Sequence, residues 1–205
     1  PLIEQLISSQ LDVDRLDYLE RDAYYTGAAY GHIDVDRLIR VLYIHQGKVV
    51  FKNSGIHAIE NYLIARYHMY WQVYYHPVAR AYEVNLEKIY QRVRDLITMG
   101  YPFENNVDPL KRILDNPNDL EAYIEVDDFY INGLIASFVK SSDSILKQLA
   151  HDFLNRHIWG YINDNDENKQ LIEKIKASYK KEELAYFTSY RTVKNSTYQD
   201  DGEGF

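Results

Sequence analysis

Helical spacing of apolar residues along most of the 205-residue chain predicts a mainly α protein, a helical bundle with a few short strands. Three observations carry that reading. Apolar residues recur three and four apart over long stretches, Gly and Pro fall at the ends of those stretches, and Asp, Asn or Ser stands where several of them begin. From the start, Leu2 to about Ala29 keeps helical spacing and stops at Gly27 and Gly31. Ile33–His45 reads as a second helix with Asp34 as its cap, ended by Gly47, and Lys48–Lys52 reads as a short strand turned by Asn53-Ser54-Gly55. Ile56–Tyr75 is a long aromatic helix. Pro77 should break or kink it, since proline lacks the amide hydrogen and clashes with the preceding turn. Val78–Met99 continues helically to a stop at Gly100-Tyr101-Pro102.

Beyond Pro102 the pieces shorten, and the shift marks a subdomain seam. Asn116-Pro117-Asn118-Asp119 caps a helix over Leu120–Glu125, and Asp127–Val139 is another. Ser141-Ser142-Asp143 caps Ser144 to about Leu154, and Asn163–Asp166 caps Glu167–Tyr179. Leu184–Val193 alternates aromatic and polar residues and reads as a strand. Asp200-Asp201-Gly202-Glu203-Gly204-Phe205 reads as a hairpin turn whose second strand is missing. Both ends look cut, and the chain is expected to be an excerpt of a longer protein.

Composition excludes several function classes. Hydrophobic residues at 46% and charged residues at 26% are the balance of a folded chain. No apolar run approaches the roughly 18 residues of a membrane span. A net charge of −8 argues against a general or sequence-specific nucleic-acid binder, yet leaves room for a small anion in a local basic pocket. The absence of cysteine removes disulfides, thiolate zinc sites and cysteine nucleophiles, and fits a cytoplasmic protein. The 20 Tyr are the compositional oddity. Tyr is an amphipathic core and interface residue, and position decides which of them face a ligand.

Two rows of residues carry chemistry. On the first helix Asp14, Arg15, Tyr18 and Asp22 share a face, while Leu16, Leu19 and Ala23 form the core stripe opposite. The first row is either a solvated face laced with Asp–Arg pairs or a ligand-facing row: carboxylate for metal, cation for phosphate, phenol for stacking. On the aromatic helix Arg66, Tyr70 and Tyr74 follow at i, i+4 and i+8, with Leu63, Tyr67 and Trp71 expected on the packed side. An Arg followed by two Tyr can pin a polyanion and flank a planar base.

The string Leu11-Asp12-Val13-Asp14-Arg15-Leu16-Asp17-Tyr18-Leu19-Glu20-Arg21-Asp22, with the Gly27 stop, resembles the signature helix of HD-domain deoxynucleoside triphosphate triphosphohydrolases. The likeness continues through Arg66–His76 and, more weakly, to about Ile162. It implies that residues 1–102 are the C-terminal part of an HD catalytic helical domain and 103–205 a helical subdomain continuing its core. It also implies hydrolysis of a deoxynucleoside triphosphate to deoxynucleoside and inorganic triphosphate, with a divalent ion (Mg, Mn, Fe, Ni or Zn). By this resemblance Asp14 is a metal ligand, Arg15 and Arg66 touch phosphate, Tyr18 crowds the place of a 2′-hydroxyl, and Asp22 accepts from the 3′-hydroxyl. Tyr74 lies beside sugar and base. Tyr70 stands where some members have a phosphate-binding His.

The family's upstream His and His-Asp pair have no counterpart before Asp14, so these residues alone are expected to be inactive. His151-Asp152 comes in the wrong order for the family and reads as structural; the other His residues, His157 included, show no metal-ligand spacing to one another. The resemblance further implies a homo-oligomer, dimer or tetramer, with a regulatory nucleotide held between subunits by Arg37, Lys52 and Arg156; a further regulatory Lys position is Gly160 here. Two other readings stay open, a different HD phosphohydrolase and a non-catalytic nucleotide-binding regulatory domain.

Overall fold

The computed structural model describes residues 2–192 and is mostly helical, with one two-stranded antiparallel sheet among them. Its contacts divide the described chain into two compact units, one of residues 2–76 with Thr192 and one of Pro77–Arg191. Position 102 lies inside the second unit. None of the described helices is both long and apolar enough to cross a membrane.

The first unit opens with α1 (Leu2–Ile7) and α2 (Val13–Thr26). The single long helix expected over this stretch is interrupted, because the Asp12 carboxylate accepts from the Ser9 amide at 2.9 Å and the Arg15 amide at 2.7 Å. An Asp so placed starts a new helix rather than continuing the old one. Gly27, at φ 71°, ends α2 in the left-handed conformation that costs glycine least. Asp34 caps α3 (Val35–Val41).

The expected helix to His45 stops early. Leu42–His45 is instead strand β1, paired with β2 (Lys48–Phe51) in the register Leu42↔Phe51 to His45↔Lys48. Gln46 and Gly47, both at positive φ, make the turn, and a two-residue turn of that kind matches the twist of a hairpin. A Gly in the second position therefore outweighed the weak helical spacing of Leu42 to His45.

Helix α4 (Ile56–Met69) runs into a π-helical turn over Tyr70–Tyr74, closed by the Tyr75 amide on the Tyr70 carbonyl at 2.7 Å. The packed side of α4 is Ile59, Tyr62, Ala65 and Met69; of the stripe expected from the sequence Leu63 packs against the core, while Tyr67 and Trp71 are each 45% exposed. Ile59, Tyr62 and Met69 join Leu16, Leu19, Ala23 and Leu38 in the core of this unit. Gly31 is where backbone meets that core closely. A Cβ there would lie 2.6 Å from the Met69 sulfur and 2.7 Å from the Ala23 Cβ.

The second unit begins at Pro77, the first residue of α5 (Pro77–Thr98), where a missing amide hydrogen costs nothing. It continues through α6 (Asp108–Asp115), α7 (Leu120–Glu125), α8 (Asp128–Phe138), α9 (Ser144–Leu154), α10 (Lys169–Ser178) and α11 (Lys181–Phe187). Its core gathers Ile89, Val93 and Leu96 of α5 with Leu134, Phe138, Leu146 and Leu149. Arg92 and Asp143 pair bidentately beside it at 3.0 and 2.5 Å, each under 15% exposed. The strand expected over Leu184–Val193 is helix α11 as far as Phe187, since the Glu183 carboxylate accepts from the Lys180 amide at 3.1 Å and caps its start. Val193 and the expected terminal hairpin lie outside the described residues.

Candidate functional site

The two rows read from the sequence meet in the first unit. Cap Asp12 and stop Gly27 fix the length and phase of α2, so that its stripe of Leu16, Leu19 and Ala23 is buried and Tyr18 and Asp22 stand at the edge of the core. The π turn at the end of α4 then carries Tyr70 and Tyr74 towards them. Such widened turns recur at functional sites because they re-aim side chains. The Tyr74 hydroxyl donates to Oδ2 of Asp22 at 2.5 Å, and the Tyr18 and Tyr74 rings meet edge to face at 6.1 Å. Tyr70 lies 5.1 Å from Tyr74, and the Arg66 guanidinium carbon sits 5.5 Å from the Tyr70 ring centre. Arg66, Tyr70, Tyr74, Tyr18 and Asp22 thus form one continuous patch.

Two of its phenols, Tyr18 and Tyr74, are held protonated. Burial, and then the neighbouring Tyr70, push Tyr18 up to about 12. Burial and donation to the Asp22 carboxylate raise Tyr74. At neutral pH the patch therefore offers hydroxyl donors and ring faces, one carboxylate acceptor and one guanidinium.

Two residues that sequence reasoning left without a role complete the support. Tyr62 is fully buried on α4, and its hydroxyl donates to the Gln10 carbonyl at 2.7 Å. Burial pushes it up to about 12 against the pull of Arg66 and Arg15, both close enough to favour the phenolate. Asp12, 3% exposed, binds the Arg15 side chain through Nη1 as well as capping α2, and the same Nη1 donates to the Ser9 carbonyl. The signal for Asp12 was present, an Asp three residues before Arg15 at a helix start. Tyr62 carried no signal, because its partner is a backbone carbonyl 52 residues away.

Asp14 lies in the first turn of α2 and is exposed. Among the described residues, the one gathering of three potential metal ligands is His151, Asp152 and His157, in the second unit, and Asp14 has no part in it. One carboxylate does not make a metal site. That group joins His157 to the His151-Asp152 pair, whereas the expectation concerned only the spacing of the other histidines to one another. The turn after α9 brings His157 back over Asp152, a proximity that linear spacing does not show.

Of the regulatory candidates, Arg37 and Lys52 are exposed in the first unit, and Arg37 reaches the Ser54 carbonyl at 2.8 Å. Arg156, also exposed, belongs to the second unit and takes positive φ, 54°. A cavity of about 570 Å³ in the first unit is lined by Leu6, Leu11, Leu38 and Phe51 among others, and includes no member of the aromatic patch.

Comparison with known proteins decides how far the likeness reaches. Residues 33–99 match the family described as the HD associated region. The chain is 42% identical over 173 residues to YwfO, an uncharacterized protein of Bacillus subtilis, covering 83% of this chain and 40% of YwfO. It superposes on the crystal structure of a phosphohydrolase from Bacteroides thetaiotaomicron with a TM-score of 0.76 and 33% identity, covering 90% of this chain and 50% of that one. A more distant relative is the Dictyostelium discoideum homolog of the deoxynucleoside triphosphate triphosphohydrolase SAMHD1, 23% identical over 159 residues, covering 76% of this chain and 27% of that protein. The chain spans half or less of the length of each of these three relatives.

Proposed function

We propose that the aromatic patch of the first unit binds a deoxynucleoside triphosphate, and that the protein is a cytoplasmic, homo-oligomeric phosphohydrolase releasing deoxynucleoside and inorganic triphosphate. The observation that carries this reading is the Tyr74–Asp22 hydrogen bond with Tyr18 packed against the same ring. It makes a rigid acceptor walled by aromatic edges, beside a cation. A deoxyribose fits such a corner: its 3′-hydroxyl donates to Asp22, and the Tyr18 ring stands where a 2′-hydroxyl would need room.

Arg66 and Arg15 would neutralise the phosphates. Arg15 is pinned by Asp12, so its charge arrives pre-oriented, and such positioned cations supply most of what a protein contributes to phosphoryl transfer. Tyr70, over which Arg66 lies, would flank the chain of phosphates, and Tyr74 the base and sugar. Asp14 would give one carboxylate to a divalent ion whose other ligands are not gathered with it in the described residues. Support comes also from the phosphohydrolase fold match and from the name of the Dictyostelium relative. Arg37, Lys52 and Arg156 would serve a second, regulatory nucleotide.

The test is product analysis with the full-length protein, a deoxynucleoside triphosphate and a divalent ion. Inorganic triphosphate should appear, and Arg66→Ala should lower kcat/KM by about 10²-fold. Release of monophosphate or pyrophosphate would point to another HD phosphohydrolase. Tight nucleotide binding without turnover would leave a regulatory domain.

A further inference from the structure

Helix α9 ends at Leu154, and the chain then turns through Asn155 and Arg156 so that His157 comes back to the last turn of the helix. The His157 amide donates to the Asp152 carbonyl at 2.9 Å, closing that turn. Three side chains converge there. Nδ1 of His157 lies 3.5 Å from Oδ1 of Asp152, Nδ1 of His151 lies 3.9 Å from the same oxygen, and the two imidazole rings are 5.1 Å apart. One ligand atom from each lies within 4.8 Å of the other two.

These separations are too long for direct hydrogen bonds. The two distances to Asp152 are close to what a shared ion needs, since bonds of about 2.0–2.1 Å in a tetrahedral site put ligand atoms roughly 3.4 Å apart. The Asp152 carboxylate is also already oriented, receiving Gln148 Nε2 on Oδ1 at 2.7 Å and Trp159 Nε1 on Oδ2 at 3.3 Å. A buried ligand held by donors, with its partners open to solvent, is how a metal site is supported from behind. Here Asp152 is 9% exposed, whereas both histidines are exposed and reachable by a hydrated ion.

We propose that His151, Asp152 and His157 form a binding site for a divalent transition-metal ion of the zinc class, with water completing its coordination. Two imidazoles and one carboxylate suit zinc, cobalt or nickel better than magnesium or calcium, which prefer oxygen donors. The ion would fasten the end of α9 to the turn behind it. That turn holds Arg156 at positive φ, a conformation an L side chain adopts at a cost, so the ion would also fix where Arg156 points. The proposal is independent of the substrate reading, because its three ligands include none of the patch residues.

Equilibrium dialysis of the full-length protein, stripped with chelator and returned to zinc or magnesium, tests it. The wild type should bind one zinc more than His157→Ala, and Asp14→Ala should retain that equivalent. Cobalt bound there should give a visible absorption band that His157→Ala loses. Gln148→Ala, which leaves all three ligands in place, should weaken zinc binding by about 10- to 100-fold. His157 is exposed, so its variant should fold, with an unchanged circular-dichroism spectrum as the check. Equal zinc stoichiometry and affinity in wild type and His157→Ala would overturn the proposal, as would magnesium displacing the zinc at equal concentration.

Discussion

Asp12 is the residue on which the proposed phosphate side of the site turns. It caps α2, and through the Arg15 side chain it fixes one of the two cations. Asp12→Ala should cost about 0.5–2 kcal/mol in a denaturant melt from the lost cap alone. It should also raise KM for nucleotide, whereas Asp12→Asn should keep much of the cap and less of the pinning. On the proposed sugar side, Tyr74→Phe leaves the ring in place and removes only the donor to Asp22. A single hydrogen bond of this kind contributes about 1 kcal/mol, so kcat/KM should fall roughly fivefold without a change of fold. The two rows were legible in the sequence, because i, i+4 spacing places Arg66, Tyr70 and Tyr74 together whatever the details of the turn. That the rows meet was not legible, since it depends on packing between helices some 50 residues apart.

At the level of elements, the close approach at Gly31 sets how near α4 comes to α2, and both Ala23 and Met69 touch the spot. Gly31→Ala should cost about 1–3 kcal/mol by overpacking, read as a fall in thermal midpoint, and should loosen the patch as measured by KM. Helix α5 was predictable because its start at Pro77 and its stop at Gly100 agreed, and Asp34 marked the start of α3 though not its end. The errors fell where local chemistry competes with periodicity. Asp12 broke one helix in two, the Gln46-Gly47 turn took Leu42–His45 into a hairpin, and the Glu183 carboxylate on the Lys180 amide started a helix in an alternating stretch. The exposed Tyr67 and Trp71 were expected to be packed because aromatic residues usually are; in α4 the buried side is instead set by Ile59, Tyr62 and Met69.

The whole molecule should lose stability at both ends of the pH scale, for different reasons. Tyr62 and Tyr18 have raised folded values, so their contribution is complete below about pH 10, the unfolded value, and is lost as pH climbs towards about 12. Tyr62→Phe should flatten that alkaline fall in a melt series. In acid the relevant group is Asp143: burial would raise its carboxyl, but the Arg92 guanidinium and the Leu146 amide hold it below the usual range. Its contribution is present above about pH 3.9 and disappears as pH drops through the folded value, while Arg92→Ala, leaving a buried carboxylate unpaired, should cost about 3–5 kcal/mol at neutral pH. Assembly is a separate claim. Tyr24, Tyr25 and Tyr30 are at least 60% exposed and suited to a subunit contact. Light scattering of the full-length protein should show an oligomer that a deoxynucleoside triphosphate stabilises and Arg37→Ala weakens; a strict monomer at micromolar concentration would remove that claim and leave the patch untouched. The patch itself is tested most directly by comparing kcat/KM for a deoxynucleoside triphosphate and its ribonucleotide counterpart in full-length wild type and Tyr18→Ala. The wild type should favour the deoxynucleotide, and the substitution should reduce that preference by about tenfold or more, since it opens the place of the 2′-hydroxyl. An unchanged ratio would contradict the assignment of this corner to the sugar.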